Sequence, residues 1–232
     1  MGILAKPFAY VLTFLYSLIG NYAWSIIVFS FIVRMAMYPL YKKQILSTAG
    51  MSEMQPKMQA IQRKYANDRE TMNQKLQELY KEENYSPTAG CLPMIIQMFI
   101  LMGLFALLRT PMLYLGTDEM MLAVHDSFLW IPDLTQPDPW ILPTAVGVVT
   151  FIAYSMNSMG TGVQSGMMQT IMKALFPIMM AWLVHSYAAG IGLYWLIGQF
   201  VQIFFNIRFS KLRKEMKESK NKKKKKAKTQ PV

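Results

Sequence analysis

The chain has 232 residues, of which 53% are hydrophobic and only 16% are charged, and its formal net charge is +11. A soluble globular domain is nearer a quarter charged, so this composition excludes an ordinary soluble protein and indicates an integral membrane protein. The apolar runs are long and continuous, whereas the spans of a membrane β-barrel alternate in character over about ten residues. We therefore expect an all-α integral membrane protein. The single cysteine, Cys91, excludes an internal disulfide framework.

Residues 1–20 carry apolar side chains at helical spacing, at Phe8, Leu12, Leu15 and Ile19. The spacing predicts an interfacial helix that lies on the extracytoplasmic surface of the membrane. A cleaved signal peptide fits less well, because no A-x-A pattern follows the apolar run. An uncleaved signal anchor is an open alternative.

Residues 21–41 form the first predicted transmembrane span, and this span carries Arg34. Seven residues separate Arg34 from Tyr41 at the end of the span, which places its backbone roughly 10 Å inside the hydrocarbon. A guanidinium cannot shed its proton, and at the centre of a membrane helix it costs about 2.5–3.5 kcal/mol on insertion scales. Either the side chain reaches up to the headgroups, or a polar cavity inside the membrane surrounds it.

Residues 42–86 are too polar to span a membrane, with eight Lys or Arg and six Asp or Glu. Two apolar stripes lie on either side of a predicted capping box, which runs from Asn67 to Glu70. This pattern predicts a cytoplasmic helical hairpin. The stripes are Met51, Met54, Met58 and Ile61 in the first arm, and Met72, Leu76, Leu79 and Tyr80 in the second.

Four further apolar runs complete the predicted topology of five transmembrane helices. The remaining segments are a second span at 87–108, an extracytoplasmic loop at 109–139, a third span at 140–157, a cytoplasmic loop at 158–168, a fourth span at 169–185, a fifth at 188–208 and a basic cytoplasmic tail at 209–232. The Lys-rich end of the tail is expected to be disordered because of its charge.

The distribution of charge predicts the orientation. The loop at 109–139 has five acidic residues and one basic residue, whereas the chain from Asn206 onward has twelve basic residues and two acidic ones. By the positive-inside rule, the hairpin and the tail are cytoplasmic and the loop is outside. The N-terminus is then outside and the C-terminus inside.

No catalytic or metal-binding pattern is present, and we expect neither enzymatic activity nor a cofactor. The polar groups at membrane depth are Ser30, Gln97, Gln199 and Gln202, together with Arg34. The five predicted spans contain no Asp or Glu. Water, amides, carbonyls or a visiting acidic substrate must therefore stabilise Arg34.

The sequence resembles the YidC family of membrane protein insertases, in its short five-span form. The resemblance lies in GNYAWSIIVFSFIVRMAMYPL, QPKMQAIQRKY, GCLPMIIQMFI, DPWILP and GLYWLIGQ, which follow one another over almost the whole chain. It implies a hydrophilic groove that is open to the cytoplasm and lipid and closed toward the outside. Arg34 would be its centre, with Ser30, Gln97 and Gln199 in the groove and Trp195 as an aromatic substrate contact. Tyr154 departs from the pattern, because related forms can have a groove glutamine there.

The function that this resemblance implies is the insertion of nascent membrane proteins. The substrate's short polar segment would enter the groove while its apolar segment moves into membrane lipids. The basic tail and the hairpin would attract the ribosome, although topology and anionic lipid binding explain the same tail. The Sec translocon is a further candidate partner. The alternative is a transporter or channel subunit that binds an anionic solute at Arg34.

Overall fold

A computed structural model describes residues 2–83, 87–115, 118–161 and 167–228. Within these ranges it consists of helices joined by turns, and the all-α prediction is confirmed. The helices are α1 (Gly2–Ile19), α2 (Tyr22–Ala36), α3 (Tyr38–Lys64), α4 (Arg69–Glu82), α5 (Pro87–Arg109), α6 (Asp118–Ala123), α7 (Ile141–Thr161), α8 (Met167–Ser186) and α9 (Ala189–Lys228), with a single 3₁₀ turn at Pro111–Leu113.

One described helical segment, Ala189–Lys211 in α9, is long and apolar enough to cross a membrane by length and composition. Shorter apolar segments lie in four other helices, so the limits of the other predicted spans stay predictions. These segments are Ala5–Ile19, Tyr22–Ala36, Ile95–Arg109 and Ile141–Met156.

The first predicted span is divided between two helices. Helix α2 ends at Ala36, and α3 begins at Tyr38 with Pro39 in its first turn. Proline is tolerated there because the first N–H groups of a helix have no partner within it. Since Met37 alone separates the helices, Tyr41 at the end of the predicted span lies on α3.

The hairpin consists of α3 and α4, which contact each other and are joined by a short turn. The cap of α4 differs from the predicted capping box: Asp68, not Asn67, is the N-cap, and its carboxylate accepts a hydrogen bond from the Thr71 N–H at 3.0 Å. An ion pair between Lys57 and Glu83 links the two arms. Helix α3 also contacts α5, α7 and α9, so the hairpin is attached to the bundle.

The other long helices form one bundle, in which α7 packs on α8 and α9, α2 packs on α9, and α1 packs on α2 and α5. Helix α1 buries Ala9 and Leu12 against this bundle and leaves Tyr10 and Phe14 exposed. Its two faces therefore differ, and its predicted position on the membrane surface stays a prediction.

The loop between α6 and α7 holds the first turns of α2 and α9 together. Its Asp126 carboxylate accepts a hydrogen bond from the Tyr22 N–H of α2 at 3.4 Å. The carbonyls of Gln136 and Leu134 accept from the Ala189 and Gly190 N–H groups of α9, at 2.9 and 3.0 Å. These contacts satisfy N–H groups that have no acceptor within the helices and hold the helix ends together.

Two carboxylates order this loop, and one of them also bonds to the start of α7. Asp138 is buried and accepts hydrogen bonds from the Trp130 indole at 2.8 Å and from the Leu142 N–H at the start of α7 at 3.1 Å. Partial burial of Asp133 would raise its pKa, but hydrogen bonds from His125 and Thr135 outweigh it and lower that pKa below its usual value.

At the other end of the bundle, α9 continues as a helix to Lys228. The predicted disorder of the Lys-rich stretch is therefore wrong up to that residue, because lysine, glutamate and alanine favour helix even where like charges repel. Five parts of the predicted segments lie outside the described residues: residue 1 of the predicted helix at 1–20, 84–86 of the hairpin, 116–117 of the outer loop, 162–166 of the 158–168 link and 229–232 of the tail.

Replacing Asp138 with alanine should lower the thermal unfolding midpoint of the protein in detergent, because it leaves the donors of Trp130 and Leu142 without their acceptor. The expected loss is about 1–3 kcal/mol. Glu119→Ala is the matched control, since it removes an exposed carboxylate from α6 of the same loop. Equal midpoints for the two variants would contradict the proposed role of Asp138 in ordering the loop.

Candidate functional site

The guanidinium of Arg34 is buried where α2 meets α3 and α9, and the residue is only 3% exposed. Its Nη1 donates a hydrogen bond to the Tyr41 hydroxyl of α3 at 2.7 Å. Its Nε and Nη2 are also buried and have no hydrogen-bond partner among the described residues. A buried charged donor without a partner costs a few kcal/mol, so these N–H groups favour the entry of water or an anion.

Gly198 of α9 makes room for this guanidinium. A Cβ atom added at Gly198 would lie 2.6 Å from Nη2 and 2.7 Å from Nε of Arg34. The guanidinium therefore lies directly against the backbone of α9, at a distance that only glycine permits. Sequence reasoning missed Gly198 and the role of Tyr41, although Gly198 stands inside the quoted GLYWLIGQ motif between Trp195 and Gln199.

Two further phenols lie near Arg34. Tyr154 of α7 and Tyr194 of α9 lie close enough for its charge to act on their hydroxyl groups. The Gln97 amide of α5 donates a hydrogen bond to the Tyr194 hydroxyl at 3.1 Å, and the Gln97 carbonyl oxygen is buried without a partner in the described part of the chain. Gln97 thus reaches the surroundings of Arg34 through Tyr194.

Ser30 is fully buried one helical turn before Arg34, but its hydroxyl serves its own helix. It donates a hydrogen bond to the Ile26 carbonyl at 2.7 Å. Such bonds to the preceding turn are common for serine in apolar helices. The structure therefore places Ser30 beside the site, but its hydroxyl group donates its hydrogen bond within α2 and not to Arg34's surroundings.

Trp195 and Gln199 lie one turn apart on α9, and both are buried. The Trp195 indole N–H donates to the Thr150 hydroxyl of α7 at 3.0 Å. Its ring lies 6.1 Å from that of Phe176, which in turn lies 4.9 Å from the ring of Tyr154. Trp195 therefore belongs to an aromatic row that joins α7, α8 and α9 beside Arg34.

A second polar group continues along α9. The Gln202 amide donates to the Asn206 side chain at 3.2 Å, and Asn206 donates to the Ala153 carbonyl of α7 at 3.1 Å. The carbonyl oxygen of Gln202 is buried and has no partner within the described ranges. Partly satisfied polar atoms therefore extend from Arg34 toward the end of the bundle where the hairpin lies.

The site combines a permanent positive charge, unpartnered donors and acceptors, and neutral aromatic walls. No group of three or more potential metal ligands was found among the described residues. A cavity of about 380 Å³ lies elsewhere, at the loop end of the bundle, where its lining includes Arg109, His125 and Ser186. The chemistry that the Arg34 site supports is transient binding of water and acidic groups within an apolar bundle.

Comparisons with known proteins identify relatives over most of the chain. The model of the family described as 60Kd inner membrane protein matches residues 14–218. "Membrane protein insertase YidC" of Citrifermentans bemidjiense is 34% identical over 203 residues, which are 87% of this chain and 36% of that protein. The Vibrio cholerae protein of the same name is 36% identical over 201 residues, covering 86% of this chain and 35% of that protein.

A solved structure is also similar. It is described as "Active YidC insertase crystal structure with the first transmembrane domain resolved", with a TM-score of 0.61 and 26% identity, and the match covers 86% of this chain and 44% of that chain. The present chain spans about a third of the length of the curated relatives named above.

Gly198→Ala should displace the Arg34 guanidinium, because the added methyl group would overlap with Nη2 and Nε of Arg34. The guanidinium can move away, since the arginine side chain is long and flexible. We expect faster modification of Arg34 by an arginine-specific dicarbonyl reagent, measured by peptide mass spectrometry in detergent against exposed Arg109 as the internal reference. Gly147→Ala is the control, since its Cβ would meet only the Ala181 methyl group, at 3.3 Å, and the Pro177 carbonyl, at 3.8 Å. An unchanged Arg34 rate in Gly198→Ala would contradict the close packing.

Proposed function

Because the chain belongs to the 60Kd inner membrane protein family, we propose that it is a membrane protein insertase. It would move short hydrophilic segments of nascent membrane proteins across the bilayer and release their apolar segments into lipid. The observation that carries this proposal is the buried Arg34 guanidinium with two N–H groups that lack partners in the described part of the chain. Such a group favours a wet, positively charged space inside an otherwise apolar bundle.

The physical obstacle to insertion is desolvation of the polar segment. A polar group taken from water into hydrocarbon without a hydrogen-bond partner costs several kcal/mol, and a charged group costs more. A space that holds water beside Arg34 and Gln97 would leave that segment partly hydrated, so part of the cost is avoided. Arg34 would attract an acidic residue of the segment without holding it, since water competes for the same N–H groups.

The apolar segment of the substrate needs a path to lipid. Helix α2 exposes Phe31, Ile32 and Met35 close to Arg34 along the chain, and α5 exposes Met98 and Phe99 close to Gln97. Exposed apolar surface of this kind suits a helix that faces lipid. In the proposed mechanism a substrate helix moves along this surface while its polar end passes Arg34.

The proposed groove opens toward the hairpin and is closed at the opposite end. The loop at 109–139 accepts hydrogen bonds from the first turns of α2, α7 and α9, and these bonds support closure at that end. The positive-inside rule supports an outer location for this loop and a cytoplasmic location for the hairpin and the tail. The bacterial cell membrane would then hold the chain with its N-terminus outside.

The hairpin and the basic tail would receive the substrate. Their proposed partner is the ribosome, because clustered lysines bind RNA phosphates through the release of counterions. Membrane lipids are the second partner of the same charges, since anionic headgroups attract juxtamembrane basic segments. The Sec translocon stays a proposed partner on the family relationship alone.

Arg34→Lys should retain much of the insertion activity, because an ammonium also attracts water and acidic segments, whereas Arg34→Ala should lose it for acidic substrates. The measurement is insertion into liposomes of one substrate in two versions, with aspartates or asparagines in its translocated segment. If Arg34→Ala inserts the aspartate version as well as the unsubstituted protein does, this charge does not organise the site. Lysine failing as badly as alanine would indicate that a bidentate guanidinium contact is required.

The orientation can be tested by cysteine labelling in intact cells with a membrane-impermeant reagent, in a chain whose Cys91 is replaced with serine. Ser127→Cys, at an exposed position of the loop, should be labelled, and Lys75→Cys, at an exposed position of α4, should be labelled only after lysis. The reverse pattern would contradict the proposed orientation, which depends on the difference in charge between the two sides.

A further inference from the structure

A tight turn in the loop between α6 and α7 exposes two large apolar side chains. The Phe128 N–H donates a hydrogen bond to the Ile131 carbonyl at 2.8 Å, and the Ile131 N–H donates to the Phe128 carbonyl at 2.9 Å. Leu129 and Trp130 form the tip of this 128–131 turn, and they are 76% and 44% exposed. The turn itself contains no charged residue, although the loop around it is acidic.

The backbone of Leu129 is strained. Its φ is +54°, in the left-handed region that favours glycine or asparagine. Tight hairpin turns need this conformation at their first central residue, and glycine adopts it without a steric clash. The Leu129 side chain is mostly exposed, so packing within the described chain does not offset the strain. A strained and exposed leucine is better explained by a contact outside the chain than by the folding of the turn.

The turn is attached to an exposed apolar stripe of α2. The Phe128 ring meets the Trp24 ring edge-on, with 6.0 Å between the ring centroids. Trp24 is exposed in the first turn of α2, and the exposed Phe31 and Met35 lie seven and eleven residues after it. These spacings are close to two and three helical turns, so the three side chains share one face of α2. Phe128 therefore contacts the loop end of a stripe that suits contact with lipid.

A second link joins the turn to α7. The Trp130 indole N–H donates to one carboxylate oxygen of Asp138 at 2.8 Å, and the other oxygen accepts from the Trp140 N–H at 3.0 Å. Trp140 is exposed and directly precedes α7. Helix α7 continues from it with an exposed apolar stripe of similar spacing, formed by Ile141, Val148 and Ile152. The turn is thus connected to the loop ends of two such stripes.

Exposed tryptophans at the ends of apolar stripes indicate the level of the membrane interface. Tryptophan is enriched there because its ring is apolar while its N–H can reach water or headgroups. Trp24 and Trp140 lie at this level, and Trp182 is exposed one turn before the end of α8. That end lies at the start of α7, since the His185 ring is 6.0 Å from the Trp140 ring. The 128–131 turn, which contacts Trp24, lies at the same level.

We propose that the 128–131 turn is a membrane anchor, in which Leu129 and Trp130 insert into the interfacial region of the bilayer at the loop end of the bundle. The contact is apolar, because the turn carries no charge and the loop at 109–139 has five acidic residues and one basic residue, which anionic headgroups repel. The anchor fixes the depth of the first turns of α2 and α7. The inference does not rest on the proposed insertase function.

The test measures the depth of position 129 in the full chain, reconstituted in phosphatidylcholine nanodiscs that hold one copy each, with Cys91 replaced by serine. One copy per nanodisc excludes burial of the turn against a second chain. A small fluorophore is attached to Leu129→Cys, and its quenching by a lipid-linked nitroxide is compared with its quenching by iodide in the water. Ser127→Cys with the same fluorophore is the matched control, because Ser127 is an exposed residue just before the turn.

The fluorophore at position 129 should lose most of its quenching by iodide and be quenched by the lipid-linked nitroxide, whereas the one at position 127 should show the reverse. Added phosphatidylglycerol and high salt should leave both results unchanged, because an apolar contact is not screened. Equal quenching by iodide at the two positions overturns the inference. Shielding at position 129 that high salt removes overturns it as well, since the contact would then be electrostatic.

A second measurement uses no fluorophore. Lipids that carry a photoreactive diazirine near the glycerol should form adducts on the 128–131 turn of the unsubstituted chain, as located by peptide mass spectrometry. Leu129→Asn should reduce these adducts, because asparagine tolerates the left-handed conformation but its amide favours water. Leu129→Met is the matched apolar variant and should retain them. A turn without adducts in the unsubstituted chain, or an equal yield in Leu129→Asn, means that this turn does not enter the bilayer.

Discussion

A guanidinium inside an apolar bundle keeps its proton at any physiological pH, so the bundle has to provide acceptors, water or a compensating charge. In this chain the described structure provides one acceptor, the Tyr41 hydroxyl, and leaves Nε and Nη2 of Arg34 without partners. The chemistry of the site follows from the N–H groups of Arg34 that have no hydrogen-bond acceptor. A fully paired arginine would be a structural element, whereas a partly paired one attracts water and acidic groups.

The contacts of Arg34 also explain why so many helices meet at it. The guanidinium lies against Gly198 of α9, is hydrogen-bonded to Tyr41 of α3, and is near the phenols of Tyr154 and Tyr194. Phenols and amides stabilise a cation without neutralising it, since none of them carries a charge of opposite sign. The positive charge thus remains available to water or an anionic group, which a buried aspartate or glutamate beside Arg34 would prevent.

The two ends of the bundle differ in how far their polar groups are satisfied by hydrogen bonds. At the loop end, carbonyls and carboxylates of the loop accept hydrogen bonds from the first N–H groups of α2, α7 and α9. Toward the hairpin, Gln202 keeps a buried oxygen without a partner in the described ranges. Satisfied helix ends resist opening, and unsatisfied polar atoms favour hydration, so water enters the bundle more easily from the hairpin side.

The sequence by itself determined the helical membrane class and the helical hairpin, and it identified Arg34, which the structure places in the buried interior of the bundle. These follow from local properties: continuous apolar runs, helical spacing of the methionine stripes, and an arginine at a depth where its charge is costly. Helix ends were determined less well. Asp68 replaced Asn67 as the cap of α4, and α9 continued through a stretch whose charge predicted disorder, because neighbouring residues compete for such positions with similar energies.

Only the tertiary structure decided which groups touch Arg34. Tyr41 and Gly198 come from helices α3 and α9, and no periodicity in the chain relates a residue on one helix to a nitrogen atom on another. Ser30 shows the converse, since its spacing placed it beside Arg34 but its hydroxyl bonds to the Ile26 carbonyl of its own helix. A sequence can identify a charged residue that is energetically unfavourable in the membrane, because that free energy depends on the depth of the residue and on the composition of its span. Its partners depend on how helices cross, which packing alone decides.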